Sequence, residues 1–310
     1  MLRVGDYKIS LDVKEEGSNV DFISHAHSDH ISAARSSKNI LASNETVELM
    51  KIAYNIDTDV RRIDMPNSMR IIDSGHMLGA KQLVIETDGE KVVYTGDFQL
   101  ERSLAAPKIE IENADTLIMD STYPYGDLAF GNKYEEELKM QRWTNMSYGN
   151  GIVLFGAYVM GKAQEIIRIL NDVGIVPVVN RKIAAISNMY KRCGIGLEYL
   201  SMYENVDECE EALRHNFVGI TDNNSLKRIP NKLSEVHEKR VYTAVATGFS
   251  RMFSFNTDAQ FCISDHADLK QSMEYIEASG AKKILTYGNG KERFAKEIAR
   301  NGLKAYPFIE

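Results

Sequence analysis

The chain has 310 residues, 44% hydrophobic and 26% charged, with a formal net charge of −7 at neutral pH. These are globular proportions that exclude a fibre or a disordered chain, and the length fits two domains or one large α/β domain. The acidic balance lacks the basic surface usual for nucleic-acid proteins, which counts mildly against a polyanionic substrate while allowing a local basic groove.

No run approaches the roughly 18 apolar residues of a membrane span, and MLRVGDYKIS lacks the apolar core of a signal peptide, so no membrane partner is expected. Cys193, Cys209 and Cys262 are odd in number and widely spaced. They point to a reducing compartment, expected to be cytoplasmic, and away from a disulfide framework or a thiolate zinc site.

Residues 1–13 read as a short strand pair ending near Asp12. That carboxylate is read evenly as a turn residue or as an acceptor fixing the ring nitrogens of nearby histidines. Val20, Phe22 and Ile23 then lead into Ser24-His25-Ala26-His27-Ser28-Asp29-His30. Three of the seven histidines of the chain fall in this one segment, which makes merely solvated imidazoles a poor account of it. On an extended segment His25 and His27 point the same way, and Asp29 and His30 follow one turn on, where a helix would begin. The spacing suits two imidazoles on one metal ion and a carboxylate with an imidazole on a neighbouring ion.

Ser43-Asn44-Glu45 reads as the start of a helix through Tyr54. Met69 to Asp73 is strand-like and runs into Ser74-Gly75-His76, where His76 is expected as a third imidazole ligand. Asp88-Gly89 between two apolar runs signals a hairpin. Its second strand ends at Thr95-Gly96-Asp97, and Asp97 is expected to bridge the two ions. Asp115 to Asp120 is a buried strand ending in another carboxylate.

From about Pro124 the texture changes. Tyr134 to Trp143 is read as a helix whose Glu135, Glu136 and Glu137 form a solvated face. Gly151 to Phe155 is a strand, Gly161 to Val173 an amphipathic helix stopped by Gly174, Ile175 to Asn180 a strand and Ile183 to Arg192 a helix. His215 and His237 are read as isolated surface residues. Val241 to Ala246 is a strand, and Phe261 to Asp268 ends a strand in a turn bearing His266. Asp268 caps a helix closed by Gly280, Lys283 to Tyr287 is a strand, and Lys291 to Asn301 is the last helix.

HAHSDH at 25–30, His76 in SGHMLGA and Asp97 in TGD together resemble the metallo-β-lactamase fold. DSTY (Asp120 to Tyr123), FGAYVMGKAQEI (Phe155 to Ile166) and ISDHAD (Ile263 to Asp268) are similar to the extra motifs of the β-CASP nucleases. The resemblance covers nearly the whole chain. It implies a four-layer αββα metal domain built from 1–122 and 242–310, with an α/β cap at 123–241 inserted between its halves. It also implies a nuclease hydrolysing single-stranded RNA or DNA, RNA processing ahead of DNA repair, in a groove with the cap as one wall. Two divalent metals are implied, zinc by ligand type with manganese as the substitute. The first would be held by His25, His27, His76 and Asp97, and the second by Asp29, His30 and Asp97. Asp29 counts among the catalytic residues, with His266 protonating or stabilising the leaving oxygen and Asp120 holding that histidine. Tyr287 stands where many ribonuclease members carry a further histidine, so the second metal is expected to bind more weakly. Tyr158 and Lys162 are candidates for base stacking and phosphate contact. The competing class is a small-molecule hydrolase of the same fold, acting on a thioester, lactone or lactam, which suits the acidic charge. A homo-oligomer is left open.

Overall fold

The computed structural model describes residues 1–309 apart from 5, 38, 57–66, 88 and 127. The chain opens with β1 (Leu2–Val4), β2 (Tyr7–Leu11), β3 (Val20–Phe22) and β4 (Ile40–Leu41), followed by α1 (Asn44–Tyr54). The expected cap of α1 is present: Ser43 Oγ accepts from Thr46 N. Then come β5 (Met69–Asp73), β6 (Lys81–Thr87), β7 (Glu90–Tyr94) and β8 (Thr116–Asp120). β6 and β7 pair antiparallel as the expected hairpin, although Asp88 of its turn lies outside the described residues.

The middle of the chain holds α2 (Lys133–Tyr148), β9 (Ile152–Ala157), α3 (Lys162–Asn171), β10 (Val178–Val179) and α4 (Arg181–Arg192). It continues with α5 (Val206–Arg214), β11 (Val218–Asp222), α6 (Asn223–Leu226), α7 (Ile229–His237), β12 (Val241–Ala246) and β13 (Ala259–Phe261). The chain closes with α8 (Leu269–Ser279), β14 (Lys283–Tyr287), α9 (Lys291–Arg300) and β15 (Lys304–Pro307).

These elements form two compact units, Met1–Ala129 with His266–Glu310, and Phe130–Asp265. In the first, two sheets of order β1-β2-β3-β4 and β15-β14-β8-β7-β6-β5 enclose a core that includes Ile9, Phe22, Leu83, Tyr94 and Ile118. On the other face of the larger sheet, Val93, Leu117, Met119 and Ile284 pack with Tyr275 and Ile276 of α8 and Phe294 and Ile298 of α9. Each such side chain contributes about 1.5–3 kcal/mol through burial. β8, buried at every residue, reads TLIMD because a parallel strand covered on both faces needs a continuous apolar run. Helix α8 starts where expected, with a reciprocal capping box between Asp268 and Gln271, and stops at Gly280. This is the four-layer αββα sandwich.

The second unit is a parallel sheet of order β10-β11-β9-β12-β13 with its own helices. Here the expected boundary at 241/242 is corrected. β12 pairs with β9 over five residues and β13 pairs with β12, so 242–265 completes the second unit's sheet. A second correction concerns α2, whose Glu136 and Glu137 are buried. Glu136 accepts from Cys262 N at 3.1 Å and pairs with Arg251 at 3.3 Å, so that face of the helix is a packing face. The strand expected at 175–180 is cut to Val178–Val179, and helix α4 starts two residues earlier than expected. No helix among the described residues is long and apolar enough to cross a membrane.

Candidate metal centre

The polar residues of the first unit converge where its strands stop. β3 ends at Phe22 and the chain turns through Ser24 to His30, held out of the ladder by Asp12. That carboxylate accepts from Ser24 N at 2.6 Å and Ser24 Oγ at 2.7 Å. The stretch after His30 forms only a 3-10 turn at Ser32–Arg35. β5 leads to the loop carrying His76, and β7 to Asp97. Gly96 has φ 53°, and a Cβ there would meet Ser24 Cβ at 2.6 Å, so only glycine lets the end of β7 lie against the histidine loop.

His25 Nε2 lies 3.0 Å from His27 Nδ1, and His76 Nε2 lies 3.2 Å from the same atom. Asp97 Oδ2 stands 3.4 Å from His25 Nε2 and 3.7 Å from His76 Nε2. Ligands about 2.0–2.1 Å from a tetrahedral ion are roughly 3.4 Å apart, so these four donors have the spacing of one coordination shell. Three imidazoles and a carboxylate also match the nitrogen and oxygen preference of zinc.

Asp97 Oδ2 lies 3.4 Å from His30 Nε2 and 3.9 Å from His266 Nε2. Asp29 Oδ2 is 3.7 Å from His30 Nε2, and its side chain is exposed. One oxygen of Asp97 is therefore common to two neighbouring donor sets. Asp97, Asp120 and His266 also have ligand atoms mutually within 4.8 Å, as do His25, His27, His76 and Asp97.

The opposite ring nitrogens fix which lone pairs face inward. His30 Nδ1 donates to Asp12 Oδ2 at 2.7 Å, and Tyr94 Oη donates to the same oxygen at 2.6 Å. With Ser24 N and Oγ, four donors fill the acceptor positions of the Asp12 carboxylate. Ser24 Oγ, having given its proton to Asp12, accepts from His25 Nδ1 at 2.9 Å. His25 Nε2 is then the unprotonated atom, as a metal ligand requires. Between the two readings of Asp12, the geometry favours the acceptor of histidine protons. Ser24 and Tyr94 were not singled out by the sequence reading. The signals were present, since a serine precedes the first histidine and a tyrosine buried at a strand end needs a partner.

His266 Nδ1 donates to Asp120 Oδ2 at 2.9 Å, and Asp120 Oδ1 accepts from Thr122 N and Oγ1 at 2.8 and 2.7 Å. Gln99 Nε2 anchors the His266 backbone carbonyl at 2.9 Å. Tyr287 ends β14 opposite Asp120. Its hydroxyl donates to the Leu11 carbonyl at 3.1 Å and its ring packs edge-on to Tyr94, which is a packing role.

Electrostatically the cluster calls for a cation. Burial and the neighbouring imidazoles push His25 well below its ordinary range, so it stays neutral. Burial works against charge on His30 too, but Asp97, Asp12 and Asp29 outweigh it and lift that imidazole to about 10. Burial, with Asp120 and Asp12 close by, raises Asp97 to about 6 against the pull of His30 and His266. Asp120 is buried yet held below the usual carboxylate range by His266 and Thr122.

Two expectations for substrate contact fare differently. Tyr158 is 62% exposed. Lys162 is 3% exposed, and its ammonium pairs with Glu165 at 2.7 Å and Asp265 at 2.5 Å. Both partners outweigh burial and keep the proton on, so its charge is already neutralised within the second unit and it is no phosphate contact. His215 is exposed beside Glu211, and His237 is half-buried against the Phe217 ring.

No protein-family model matches the chain. A probable DNA ligase of Opitutus terrae is 26% identical over 311 residues, covering 93% of this chain and 28% of that one. An RNase J-like protein of Methanocaldococcus jannaschii is 27% identical, covering 52% of this chain and 45% of its own. Cleavage and polyadenylation specificity factor subunit 3-II of Arabidopsis thaliana is 30% identical, covering 44% and 23% respectively. The chain spans less than half the length of each of these relatives. Among solved structures, a protein of unknown function from Enterococcus faecalis is similar in fold, with a TM-score of 0.60 and 13% identity, covering 94% of this chain and 79% of that one.

Proposed function

We propose that this chain, which belongs to the β-CASP nucleases of the metallo-β-lactamase fold, hydrolyses phosphodiester bonds of single-stranded nucleic acid. The observation that carries the proposal is the Asp97 oxygen shared between two donor sets, which would let the site hold two cations of the kind that assist displacement at phosphorus. His25, His27, His76 and Asp97 would hold the first ion, and His30, Asp29 and Asp97 the second, with His266 beside it. Bound zinc, or manganese in its place, would act as Lewis acid and bring the pKa of a water from about 15.7 toward roughly 7.

The chain's own residues supply the rest. Asp12 and Ser24 accept the outward ring N–H of His30 and His25, so the inward nitrogen of each is the one a cation would take, with His30 giving up its inward proton to it. Asp120 accepts a hydrogen bond from His266 Nδ1 and turns Nε2 toward Asp97, so a proton on Nε2 would be available to the leaving oxygen. Such proton transfer is typically worth about 10²–10⁴ in rate. RNA is proposed ahead of DNA as substrate because the RNase J-like and polyadenylation-factor relatives are named for RNA, while the ligase relative keeps DNA in play. The proposed setting is the cytoplasm.

The test is cleavage of single-stranded RNA and DNA labelled at either end, with and without chelator, across a salt series. A ladder from one end, abolished by chelator and weakened steeply by salt, supports the proposal. Bound metal without cleavage of any nucleic acid, alongside salt-independent hydrolysis of a thioester or lactone, would replace it.

A further inference from the structure

The second unit carries a cavity of about 760 Å³, within the roughly 300–1,000 Å³ range of ligand pockets. It is lined by the carboxyl ends of β9 (Gly156 to Tyr158) and β12 (Val245 to Thr247), by α6 and α7, and by the 255–257 loop. β9 and β12 are adjacent parallel strands. The chain leaves β9 through α3 toward β10 on one side of the sheet, and leaves β12 toward β13 on the other. The cavity therefore sits at the point where strand connections diverge, outside the carboxyl ends, which is where open α/β sheets take ligands.

The lining selects a class of ligand. Its aromatic members are Tyr158, Phe249 and Phe255, and its polar members include the amides of Asn223, Asn231 and Asn256. Among the described lining residues Lys227 is the one charged side chain and none is a carboxylate, although the chain as a whole is acidic. The acids adjacent in sequence are engaged in local hydrogen bonds. Asp222 accepts from Asn224 N, Ser225 N and Ser225 Oγ, and Asp258 from Thr243 N and Oγ1. Aromatic faces, amides that both donate and accept, and a lone cation suit a planar neutral ring with polar edges and an attached phosphate.

We propose that this cavity binds one nucleotide of a single strand, its base against the aromatic side chains, its edge on the asparagine amides and its phosphate on Lys227. The nucleotide as occupant rests on the nuclease reading of the metal centre; the cavity and its lining do not.

The experiment is calorimetric titration of the metal-loaded protein with each nucleoside 5′-monophosphate, which has no internal phosphodiester to cleave. Tyr158→Ala, Asn256→Leu and Phe255→Ala are compared with the parent, and a strand-cleavage assay is run beside each. Loss of one stacking or edge contact is expected to weaken nucleotide binding roughly five- to hundred-fold. Phe255 also packs with Leu154, Leu226 and Val245, so if Phe255→Ala unfolds, the exposed positions Tyr158 and Asn256 carry the test. Weakened binding in those two variants supports the cavity even if the parent cleaves no strand, an outcome that would sink only the nuclease reading. Nucleotide binding that is absent in the parent, or unchanged in both variants, overturns the cavity proposal even where strands are cleaved.

Discussion

Both units bury charge, and they do so in opposite ways. In the second, Lys133 and Lys162 meet Glu165 and Asp265 at 2.5–2.7 Å, so two cations and two carboxylates neutralise one another. In the first, five imidazoles and the carboxylates of Asp12, Asp97 and Asp120 meet one another, with nitrogen–oxygen distances from 2.7 to 3.9 Å. The inward ring nitrogens there face one another or a shared carboxylate oxygen. A closed ion network is finished as it stands, whereas the imidazole cluster presents donor atoms that could hold a cation from outside. Buried charge alone therefore does not mark function; an unbalanced donor set does.

The comparison is broken most severely at Asp97, the oxygen common to both donor sets. Asp97→Asn is expected to remove bound metal and lower strand cleavage by roughly 10⁴-fold, several kcal/mol of lost stabilisation, read by elemental analysis with single-turnover kinetics. His266→Ala is expected to cost about 10³-fold in turnover while the ions held by His25, His27 and His76 stay in place. Turnover equal to the parent's would remove His266 from the proton-transfer role.

In the closed network the expected effect is on stability. Lys162→Met takes the ammonium away from buried Asp265 and leaves Glu165 with Lys133 alone, and it is expected to cost about 3–5 kcal/mol in urea unfolding, with metal content unchanged. Asp265 is buried yet held below the ordinary carboxylate range, chiefly by Lys162. Its contribution is thus present above about pH 4 and lost as pH falls through its folded value. The Lys162 contribution is present below its ordinary value of 10.5 and fades only above it. The gap between parent and variant should hold across neutral pH and close below about pH 4. The mildest change is Asp12→Asn, which keeps the shape but removes the charge that accepts from His30, Ser24 and Tyr94. It is expected to weaken metal binding about 10–100-fold, measured by competition with a chelator.

How much was legible in the sequence follows the same division. The donors of the first unit could be read because they lie within a few residues of one another or at strand ends marked by glycine, and local spacing is what a sequence displays. The helix at 269–279 was equally plain, since Asp268, Gln271 and Gly280 are local signals. Lys162 was misread because its partners are Glu165, one turn on, and Asp265, 103 residues away. Nothing near Lys162 announces the distant carboxylate. The boundary at 241 was misplaced for a related reason, because strand order is set by pairing across the sheet and β12 bonds β9 from a distance of some ninety residues. β11, an interior strand of that sheet, was not recognised at all; VGITD is short and carries a glycine that lowers its strand signal.

The most direct test of the contrast between the two units is zinc titration of chelator-treated protein by calorimetry, with Asp97→Asn and Lys162→Met beside the parent. Tight zinc binding is expected for the parent and Lys162→Met, with a weaker second equivalent, and its loss in Asp97→Asn. Zinc binding that is absent from the parent, or survives unchanged in Asp97→Asn, would contradict that expectation.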